Sequence, residues 1–533
     1  MGLARNDQRF AEEVSQFISS AQRELMLTTE ENSLGIQRQI AGVVYPESME
    51  QLRKLVQLAS RHGVPLYPVS QGKNIGYGDR TPYQQGQVVV SLTKLNKIRE
   101  YNPENGEVVV EPGVTQGQLA QFLKDRGAPY WADVTGASPD ASILGNTLEA
   151  GFGHTPIGDH RKNILDMEVI LTDGSLLRTG EMPSVGPDLA TLFIQSNFGL
   201  VTAIKIPLFP IPEDTVTFVI SFSTEPSFFK GIGVLKELRK AGVFNSLVHS
   251  GNATRALMTA SPFPKECDPA HALSESECQA MINTKGLLKV GAWTTIGAIY
   301  GMKEEVKFKE KRLKAAFRGV GQVRVFTDRK IRWTDLLLNS KILKKFPSLN
   351  LARKSFASLK ALHGILRGQP SSVPSENIYW RVKEQSRLGL AWFSPVIPAT
   401  AQDAEKLLTL SRALFAKYGL EMPVTLTMIN DRKMTAVFNI CFDKSRPSEV
   451  ALAHQAYQEL SREVKTLGYG PYRLGILSDC EQAFESRKLN FLNVIKRALD
   501  PRHIMAPGRY GIGAVKQLKQ RMPQIESRAE KTA

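Results

Sequence analysis

Apolar residues recur with helical spacing in some parts of the chain and in short continuous runs in others. The segment SMEQLRKLVQLASRHG (48–63) has the 3.6-residue period of an amphipathic helix and stops at Gly63. TQGQLAQFLKDRG (115–127) is a second predicted helix that is stopped by glycine. The runs VPLYPV, QVVVSL and EVVVEPGV predict strands between and beside these helices. Residues 41–210 are therefore predicted to alternate helices and strands.

A predicted hairpin precedes a change in the pattern near residue 206. ILDMEVILTDGSLLRTG (164–180) predicts two strands joined at Asp173-Gly174, a strong hairpin signal. The proline-rich IPLFPIPED (206–214) predicts a domain boundary. From 214 to 465, β-rich stretches alternate with long helices, which predicts an α+β unit with an antiparallel sheet. HGILRGQPSSVPSENIYW (363–380) is predicted to be a loop, and the residues beyond 515 a frayed polar tail.

Size and composition indicate a globular protein of two or three domains. The chain has 533 residues, of which 42% are hydrophobic and 23% charged. It has no run of about 18 apolar residues, and its N-terminus lacks the apolar centre of a signal peptide. The four cysteines show no CxxC spacing, which favours buried thiols over a disulfide framework or a metal site. We therefore expect a cytoplasmic protein without a structural metal.

The net charge of +16 is concentrated between residues 303 and 367, in stretches such as KEEVKFKEKRLKAAFRG and SKILKKF. Such a stretch is most often a set of solvated amphipathic helices. It also suits docking to an anionic membrane surface or to an acidic redox partner. We expect no nucleic-acid partner, and we consider a homodimer and a membrane-peripheral location as further expectations.

A glycine-rich loop, PVSQGKNIGYGD (68–79), directly follows a predicted strand. Glycine lets backbone amides approach a ligand closely, so Gly72, Gly76 and Gly78 are suited to form an anion nest. The spacing is neither GxGxxG nor GxxxxGK[ST], and no helix signal follows at once, which excludes a Rossmann or P-loop interpretation. By itself the loop fits a phosphate cradle and a structural turn equally well.

Further segments share this character and carry a family resemblance. They are VVVEPGVT (108–115), SILGNTLEAGFGHTPIGDH (142–160), DMEVILTDGSLLRTG (166–180), QSNFGLVT (195–202), the pair Tyr472-Arg473, and LDPRHIMAPGRYGI (499–512). Together with the glycine loop, their order and spacing resemble the vanillyl-alcohol oxidase and p-cresol methylhydroxylase superfamily of flavoproteins. The resemblance extends over nearly the whole chain.

The resemblance implies a two-domain α+β FAD-binding fold. The FAD domain would comprise 1–212 and 466–515, a cap domain for the substrate would comprise 213–465, and 516–533 would be the tail. By similarity, the residues that hold FAD would be Ser70, Gly72, Asn74, Gly76, Gly78, Pro112, Gly113, Ser142, Gly145, Asn146, Gly153, Gly158, Asp159, His160, Val201 and Arg509. Arg509 would lie near the polar edge of the flavin ring, where a guanidinium stabilises negative charge.

The resemblance also implies a phenol site. In phenol-oxidising members, a tyrosine of the glycine loop and a C-terminal Tyr-Arg pair bind the phenolic oxygen, and here these positions hold Tyr77, Tyr472 and Arg473. A phenol must lose its proton before hydride leaves the para-carbon for flavin N5, and these donors stabilise the phenolate. O2 or an electron-transfer protein would reoxidise the flavin. His154 is either a general base near the flavin or a hydrogen-bonded wall residue.

Alternative substrates within the same fold are an aliphatic alcohol, a lactone or a natural-product intermediate. Two departures from the family pattern bear on this choice. The cap stretch 417–442 has no histidine, and no tyrosine after Tyr418, so non-covalent FAD is expected. The aspartate that phenol oxidases place beside flavin N5 has no clean counterpart, and Asp133 and Asp140 are the two candidates.

Overall fold

The computed structural model describes residues 5–180, 185–260, 263–264, 271–285, 291–346, 349–376, 380–382, 384–478 and 486–514. Its α-helices are α1 Arg5–Val14, α2 Met49–His62, α3 Gln116–Asp125, α4 Ile143–Leu148, α5 Glu225–Lys240, α6 Ala253–Ala260, α7 Glu275–Lys285, α8 Lys303–Ala316, α9 Asp328–Leu338, α10 Asn350–Ile365, α11 Val373–Glu376, α12 Ala401–Lys417, α13 Pro447–Thr466 and α14 Ser486–Leu499. The predicted tail beyond 515 lies outside the described residues.

The strands of the first part of the chain form two main sheets. They are β1 Arg23–Glu24, β2 Thr28–Glu31, β3 Gln37–Ile40, β4 Gly42–Val44, β5 Leu66–Val69, β6 Val88–Ser91, β7 Ile98–Asn102, β8 Glu107–Val110, β9 Tyr130–Trp131, β10 Asp166–Ile170, β11 Leu176–Arg178, β12 Leu200–Pro207 and β13 Phe209–Pro210. One sheet has the order β1-β4-β6-β5 and the other β11-β10-β12-β8-β7, while β2-β3 and β9-β13 are separate pairs. The sequence pattern correctly predicts the β10–β11 hairpin, whose turn contains Gly174 at φ 85°.

Local chemistry explains where the predicted helices of this part begin and end. The Ser48 side chain accepts a hydrogen bond from the Gln51 amide at the start of α2, and Gly63 ends the helix with φ 67°. Thr115 and Gln118 form a capping box at the start of α3. Both helices are confirmed within a residue or two of their predicted ends.

A single large antiparallel sheet dominates the second part of the chain. Its strands are β14 Asp214–Phe222, β15 Val248–Asn252, β16 Trp293–Gly301, β17 Gln322–Phe326, β18 Leu388–Phe393, β19 Pro395–Pro398, β20 Val424–Met428, β21 Lys433–Asp443 and β22 Gly470–Pro471. The order is β17-β14-β16-β15-β20-β21-β19-β22, and β18 pairs with β21. The helices α5, α8, α12 and α13 pack on one face, where residues such as Phe218, Trp293 and Phe438 form the largest core cluster. The predicted antiparallel sheet is therefore confirmed.

The chain then returns to the first part through buried contacts. The Leu66 amide of β5 donates to the Ile504 carbonyl at 2.7 Å, and the Ala506 amide donates to the Leu66 carbonyl at 2.7 Å. Behind this junction, Lys496 Nζ and Asp500 Oδ2 form a fully buried ion pair at 2.7 Å. Lys496 also donates to two backbone carbonyls, so its charge is completely hydrogen-bonded. These contacts fix the segment that carries the APGRYGI motif.

The predicted loop at 363–380 is partly wrong. Helix α10 continues to Ile365, and α11 forms a single turn at Val373–Glu376. The last turn of α10 buries His363, and Pro374 lies in the first turn of α11, where proline is tolerated. Burial of this helical face overrides the turn-forming composition of the segment.

Two of the four cysteines, Cys278 and Cys441, lie in the described part and form no disulfide there, whereas Cys267 and Cys480 lie outside it. Burial raises the pKa of both described thiols to about 12. Across the described ranges, no group of three or more histidine, cysteine, aspartate or glutamate side chains is arranged to hold a metal ion. No helix in these ranges is long and apolar enough to cross a bilayer.

Candidate flavin and substrate site

A cavity of about 690 Å³ lies between the glycine loop, the C-terminal return and the free face of the nine-stranded sheet. Its walls include loop residues from Ser70 to Ile75, the α4 region, and the segments around Tyr472 and Arg509. Sheet strands and the helices α6 and α10 complete it on the cap side. Its size is in the range of small-molecule and cofactor sites.

The glycine loop presents a row of unpaired amides to this cavity. Within the described structure, no amide from Gln71 to Ile75 donates a hydrogen bond to a protein acceptor. Gly72 has φ 65°, Gly76 has φ 78° and Gly78 has φ 120°, conformations that favour glycine. Unpaired, convergent amides form an anion-binding nest, so the loop fits the pyrophosphate of a dinucleotide cofactor.

Half of the predicted FAD residues line the cavity, namely Ser70, Gly72, Asn74, Ser142, Gly145, Asn146, Val201 and Arg509. The other half lie behind its wall, namely Gly76, Gly78, Pro112, Gly113, Gly153, Gly158, Asp159 and His160. The second group supports the first through backbone and side-chain contacts. The Pro112 carbonyl accepts the Ser142 hydroxyl at 2.7 Å, for example, and His160 Nδ1 lies 2.8 Å from the Asn146 amide oxygen.

Glycine is required in the loop because side chains from distant parts of the chain pack directly on it. A Cβ at Gly76 would overlap the indole of Trp392, and one at Gly78 would overlap Ile476. Both glycines also have positive φ values. Gly76 and Gly78 therefore allow the loop to pack closely against Trp392 and Ile476. They do not themselves form the cavity wall.

Tyr77, Tyr472 and Arg473 meet at the junction of the glycine loop and the C-terminal segment. The guanidinium carbon of Arg473 lies 4.6 Å from the centre of the Tyr77 ring. Tyr77 Oη lies 3.2 Å from Ser394 Oγ, and the Tyr472 ring lies 5.2 Å from that of Phe152. Burial, and then the nearby Tyr472, raise the pKa of Tyr77 well above its ordinary value, so this hydroxyl stays protonated and available as a donor.

A buried carboxylate, Glu149, connects this group to the flavin side of the cavity. Glu149 accepts hydrogen bonds from Arg473 Nε at 3.4 Å, from the Tyr510 hydroxyl at 2.7 Å and from Arg509 Nη2. Burial alone would raise the pKa of Glu149, but Arg509 and Arg473 lower it below the ordinary value. One ionised carboxylate is therefore shared by two guanidinium groups, which leaves the cluster with a net positive charge.

His154 lies on the cavity wall next to a second histidine. Its Nδ1 lies 3.1 Å from the Val134 carbonyl, which can only accept, so the proton is on Nδ1 and Nε2 is left as an acceptor. Burial lowers the pKa of His154, and the imidazole is therefore neutral near pH 7. The His249 ring lies 4.5 Å from the His154 ring, and burial lowers the pKa of His249 well below its ordinary value.

The free face of the large sheet forms the floor of the cavity. In the strand register, two parallel rows of side chains face the cavity. The first row is Arg324, Val219, Ile296, His249, Thr427 and Thr435, and the second is Ser221, Thr294, Gly251, Thr425 and Val437. Alternation along each strand places these residues on one face and the core residues on the other. The predicted boundary at 206–214 stays a prediction, although the sheet begins directly after it at Asp214.

Neither candidate for the flavin-side aspartate lines the cavity. Asp133 is held behind the wall, where its carboxylate accepts from the Thr155 amide at 2.8 Å and the Gly158 amide at 2.9 Å. Asp140 is exposed and pairs with Lys73 at 2.9 Å. Of the described residues that line the cavity, the acidic ones are Asp79 and Glu149.

Sequence reasoning missed Glu149 and His249 as site residues. Glu149 lies inside the SILGNTLEAGFG motif, so its position was visible, but its two arginine partners are hundreds of residues away. His249 lies on β15, where it alternates with buried residues. In a sequence, side chains of a strand that face a cavity have the same two-residue period as side chains that face solvent. No local signal distinguishes these two environments.

Comparison with known proteins agrees with this geometry. Residues 40–180 match the model of an FAD binding domain. The chain is 30% identical over 496 residues to 1'-carboxy-chondrochloren decarboxylase of Chondromyces crocatus, covering 88% of this chain and 90% of the relative. It is 29% identical over 491 residues to the 4-cresol dehydrogenase [hydroxylating] flavoprotein subunit of Pseudomonas putida, covering 89% and 88%. A solved structure of p-cresol methylhydroxylase with substrate bound superposes with a TM-score of 0.84 at 25% identity, covering 96% of this chain and 98% of that one.

Proposed function

The chain belongs to the vanillyl-alcohol oxidase/p-cresol methylhydroxylase superfamily of FAD-dependent oxidoreductases, and we propose that its substrate is a para-substituted phenol or an aromatic alcohol. FAD, when bound, supplies the two-electron acceptor for the hydride that leaves the para side chain. The named relative from Pseudomonas putida is a 4-cresol dehydrogenase, which supports a phenolic substrate here.

The observation that carries the proposal is the charge balance around Tyr77, Tyr472 and Arg473. Arg473 shares its counter-ion, Glu149, with Arg509, so a phenolate bound beside it would restore neutrality. Among the described residues, the two terminal nitrogens of Arg473 have no hydrogen-bond acceptor and are available to that oxygen. A hydrogen bond from a charged donor contributes about 1.5–3 kcal/mol. The site therefore favours loss of the phenolic proton.

His154 is the candidate acceptor for that proton or for one from an alcohol side chain. Its Nε2 carries a lone pair because Nδ1 donates to Val134, and it faces the cavity. Loss of one proton and one hydride converts the phenol to a quinone methide. O2, or an electron-transfer protein, then removes the two electrons from the cofactor.

Anaerobic mixing with a panel of phenols tests the proposal directly. We expect 4-alkylphenols to bleach the flavin absorbance at about 450 nm. We expect the Tyr472→Phe and Arg473→Met variants to slow this reaction by roughly 10–100-fold. Tyr130→Phe is the matched control, because the Tyr130 hydroxyl donates to the Pro103 carbonyl outside the cavity. Unchanged rates in the Tyr472 and Arg473 variants would reject the phenolate site.

The alternative substrate class is a natural-product intermediate, an aliphatic alcohol or a lactone. The decarboxylase named among the relatives supports a substrate other than a simple phenol, because its name gives a carboxylated compound, 1'-carboxy-chondrochloren, as its substrate. Faster flavin reduction by aliphatic alcohols than by any phenol of the panel would favour this alternative.

We also propose that FAD is bound without a covalent link. This proposal is supported by Thr435, which faces the cavity from the cap strand β21, and by the position of Tyr418, whose hydroxyl bonds to Glu459 away from the cavity. Acid precipitation should leave the flavin in the supernatant. Flavin that remains on the precipitated chain would contradict the proposal and make His249 the first attachment site to examine.

A second function, docking to an anionic bilayer, is proposed for the cap-edge patch, residues 328–346. Its apolar side chains are 52–72% exposed and comprise Trp333, Leu336, Leu337, Ile342 and Phe346. Its exposed cations are Arg329, Lys330, Arg332, Lys341, Lys344 and Lys345. Exposed apolar side chains among cations suit the interface of an anionic membrane, where each cation contributes about 1 kcal/mol.

The acidic residues of this patch do not cancel its charge. Asp328 is engaged by His363 at 2.8 Å and by Arg367 at 2.9 Å, and Asp335 pairs with Lys360 at 2.6 Å. Helix α9 packs through Ile331 and Leu338 on α10, which lines the cavity. A cytoplasmic enzyme held at the membrane by this patch would have its cavity close to dissolved apolar substrates.

Vesicle co-sedimentation tests the docking. Binding to vesicles should require anionic lipid and fall steeply with salt. It should be lost in a Leu336→Glu/Leu337→Glu variant. The control variant is Phe491→Glu, at an exposed phenylalanine of α14, which should bind like the wild type. Binding that ignores lipid charge would contradict the proposal. A dimer that the double variant dissociates would instead identify a second copy as the occupant of the patch.

A further inference from the structure

Arg255 is a half-buried arginine of the cavity wall that has no carboxylate partner among the described residues. It lies in the first turn of α6, lines the cavity, and donates from Nη1 to Asn439 Oδ1 at 3.4 Å. Its other contact is with the Met258 sulfur at 3.8 Å. Of the described residues, none with a carboxylate pairs with it.

Several other arginines with little exposed side chain have carboxylate partners, whereas Arg239 donates to three backbone carbonyls. Arg367 pairs with Asp328 at 2.9 Å, Arg381 pairs with Glu421, and Arg473 shares Glu149. Burial lowers the pKa of Arg255, but a guanidinium stays charged in a protein. The positive end of the α6 dipole adds to the unfavourable charge. Among the described residues this cation has no counter-ion, so an anion bound in the cavity would lower its electrostatic cost.

The groups beside Arg255 do not supply a negative charge. The Cys441 thiol, with its pKa raised to about 12 by burial, is neutral. His249 is neutral as well, because burial and the neighbouring His154 and Arg255 lower its pKa. No described group beside Arg255 compensates its charge, and the side chain lines the cavity.

Gly251 lies directly below the aliphatic stem of Arg255. Strand register places Thr294 on one side of Gly251 and Thr425 on the other, and all three face the cavity. A Cβ at Gly251 would lie 3.2 Å from Arg255 Cγ, so the glycine lets the aliphatic stem of Arg255 lie close to the strand. The Thr294 hydroxyl is buried and has no hydrogen-bond partner in the described chain. A guanidinium that has no carboxylate partner among the described residues, above polar side chains of the cavity floor, can bind an anionic oxygen group.

We propose that Arg255 binds an anionic oxygen group carried by the substrate, most simply a carboxylate. This inference rests on the proposed phenol oxidation and makes the substrate a phenol whose para side chain ends in an anion. Thr435, Thr427 and His249 lie on three adjacent strands of the cavity floor, the last of which also carries Gly251 below Arg255. Two strand spacings place the two ends of the substrate on the order of 10 Å apart.

The pyrophosphate of FAD is the other source of the same chemistry. The unpaired amides of the glycine loop already provide a nest for it, which leaves Arg255 for the substrate. An assay of this inference therefore includes FAD affinity as a separate arm.

Binding of 4-hydroxyphenyl alkanoates of increasing chain length, compared with neutral 4-alkylphenols of equal length, tests the inference. Kd is measured from the change in flavin absorbance under anaerobic conditions, and flavin reduction from the later bleaching. We expect Arg255→Met to raise the Kd of the best acid about 10–100-fold more than that of the matching alkylphenol, and Arg255→Lys to retain part of the preference. Arg324→Met is the control, since Arg324 lines the far end of the same sheet face.

The outcomes separate this inference from the proposed function. An equal effect of Arg255→Met on acid and alkylphenol, or a loss of FAD affinity without a change in acid preference, overturns the anion site while phenol oxidation stands. If no phenol reduces the flavin, the proposed function fails. An acid preference in Kd that depends on Arg255 would still support the anion site in that case, because Kd is measured without turnover.

Discussion

Glu149→Gln separates the structural role of the shared carboxylate from its effect on a bound phenolate. The side chain is 7% exposed and bonds to Arg473, Arg509 and Tyr510. Glutamine has the same size and retains an oxygen that accepts the Tyr510 hydroxyl. The substitution therefore removes one negative charge and changes little else, so that two guanidinium groups remain without a counter-ion.

Two opposite effects follow from this change of charge. Breaking a buried ion pair by removing one partner costs about 3–5 kcal/mol of folding stability. A phenolate beside Arg473, in contrast, loses a repulsive neighbour. At roughly 7 Å and an effective dielectric of about 20, that repulsion is about 2 kcal/mol, or roughly 30-fold in the Kd of the phenolate. We expect a less stable protein that binds phenolates more tightly.

Titration with para-nitrophenol measures the second effect, because its phenolate absorbs in the visible and the molecule has no para-carbon hydrogen to oxidise. Thermal unfolding measures the first. Glu421→Gln is the matched control, since Glu421 is a buried carboxylate paired with Arg381 outside the cavity. Glu421→Gln should lower stability without tighter phenolate binding. If Glu149→Gln binds para-nitrophenolate no more tightly than wild type, the assignment of the phenolate to this cluster is wrong.

Three further predictions concern single residues. Because the pKa of His154 lies below its ordinary value, the neutral base persists as the pH falls through about 6.5, and flavin reduction should decline only at lower pH. A His154→Gln variant that keeps the same acid limb would show that another group titrates. Gly76→Ala should weaken FAD retention, measured by flavin fluorescence after gel filtration, because Trp392 occupies the space of the new methyl group. Lys496→Met should lower the free energy of unfolding by about 3–5 kcal/mol in denaturant titrations. Arg497→Met, at the exposed next position, should not.

The sequence alone was sufficient for most of the architecture. The helices α2 and α3, the β10–β11 hairpin and the antiparallel cap sheet follow from periodicity, capping residues and turn dipeptides, which act between near neighbours. The segment 363–380 shows the limit of that logic. Its glycines and prolines predict a loop, but packing of α10 extends the helix to Ile365.

The candidate site, too, could be predicted only in part from the sequence. Tyr77, Tyr472 and Arg473 were found from motifs, and the glycine loop was found from its composition. The charge balance of these three residues depends on Glu149 and Arg509, which lie far away in the sequence. Asp133 and Asp140 are kept out of the cavity by contacts that no local sequence pattern contains. The isolation of Arg255 is likewise a property of what surrounds it. Backbone geometry is determined over a few residues, and the sequence by itself therefore determined the elements and the cofactor loop. Electrostatic energies depend on distances in space and on burial, so only the tertiary structure decided which charges are paired, which are free, and where an anion would bind.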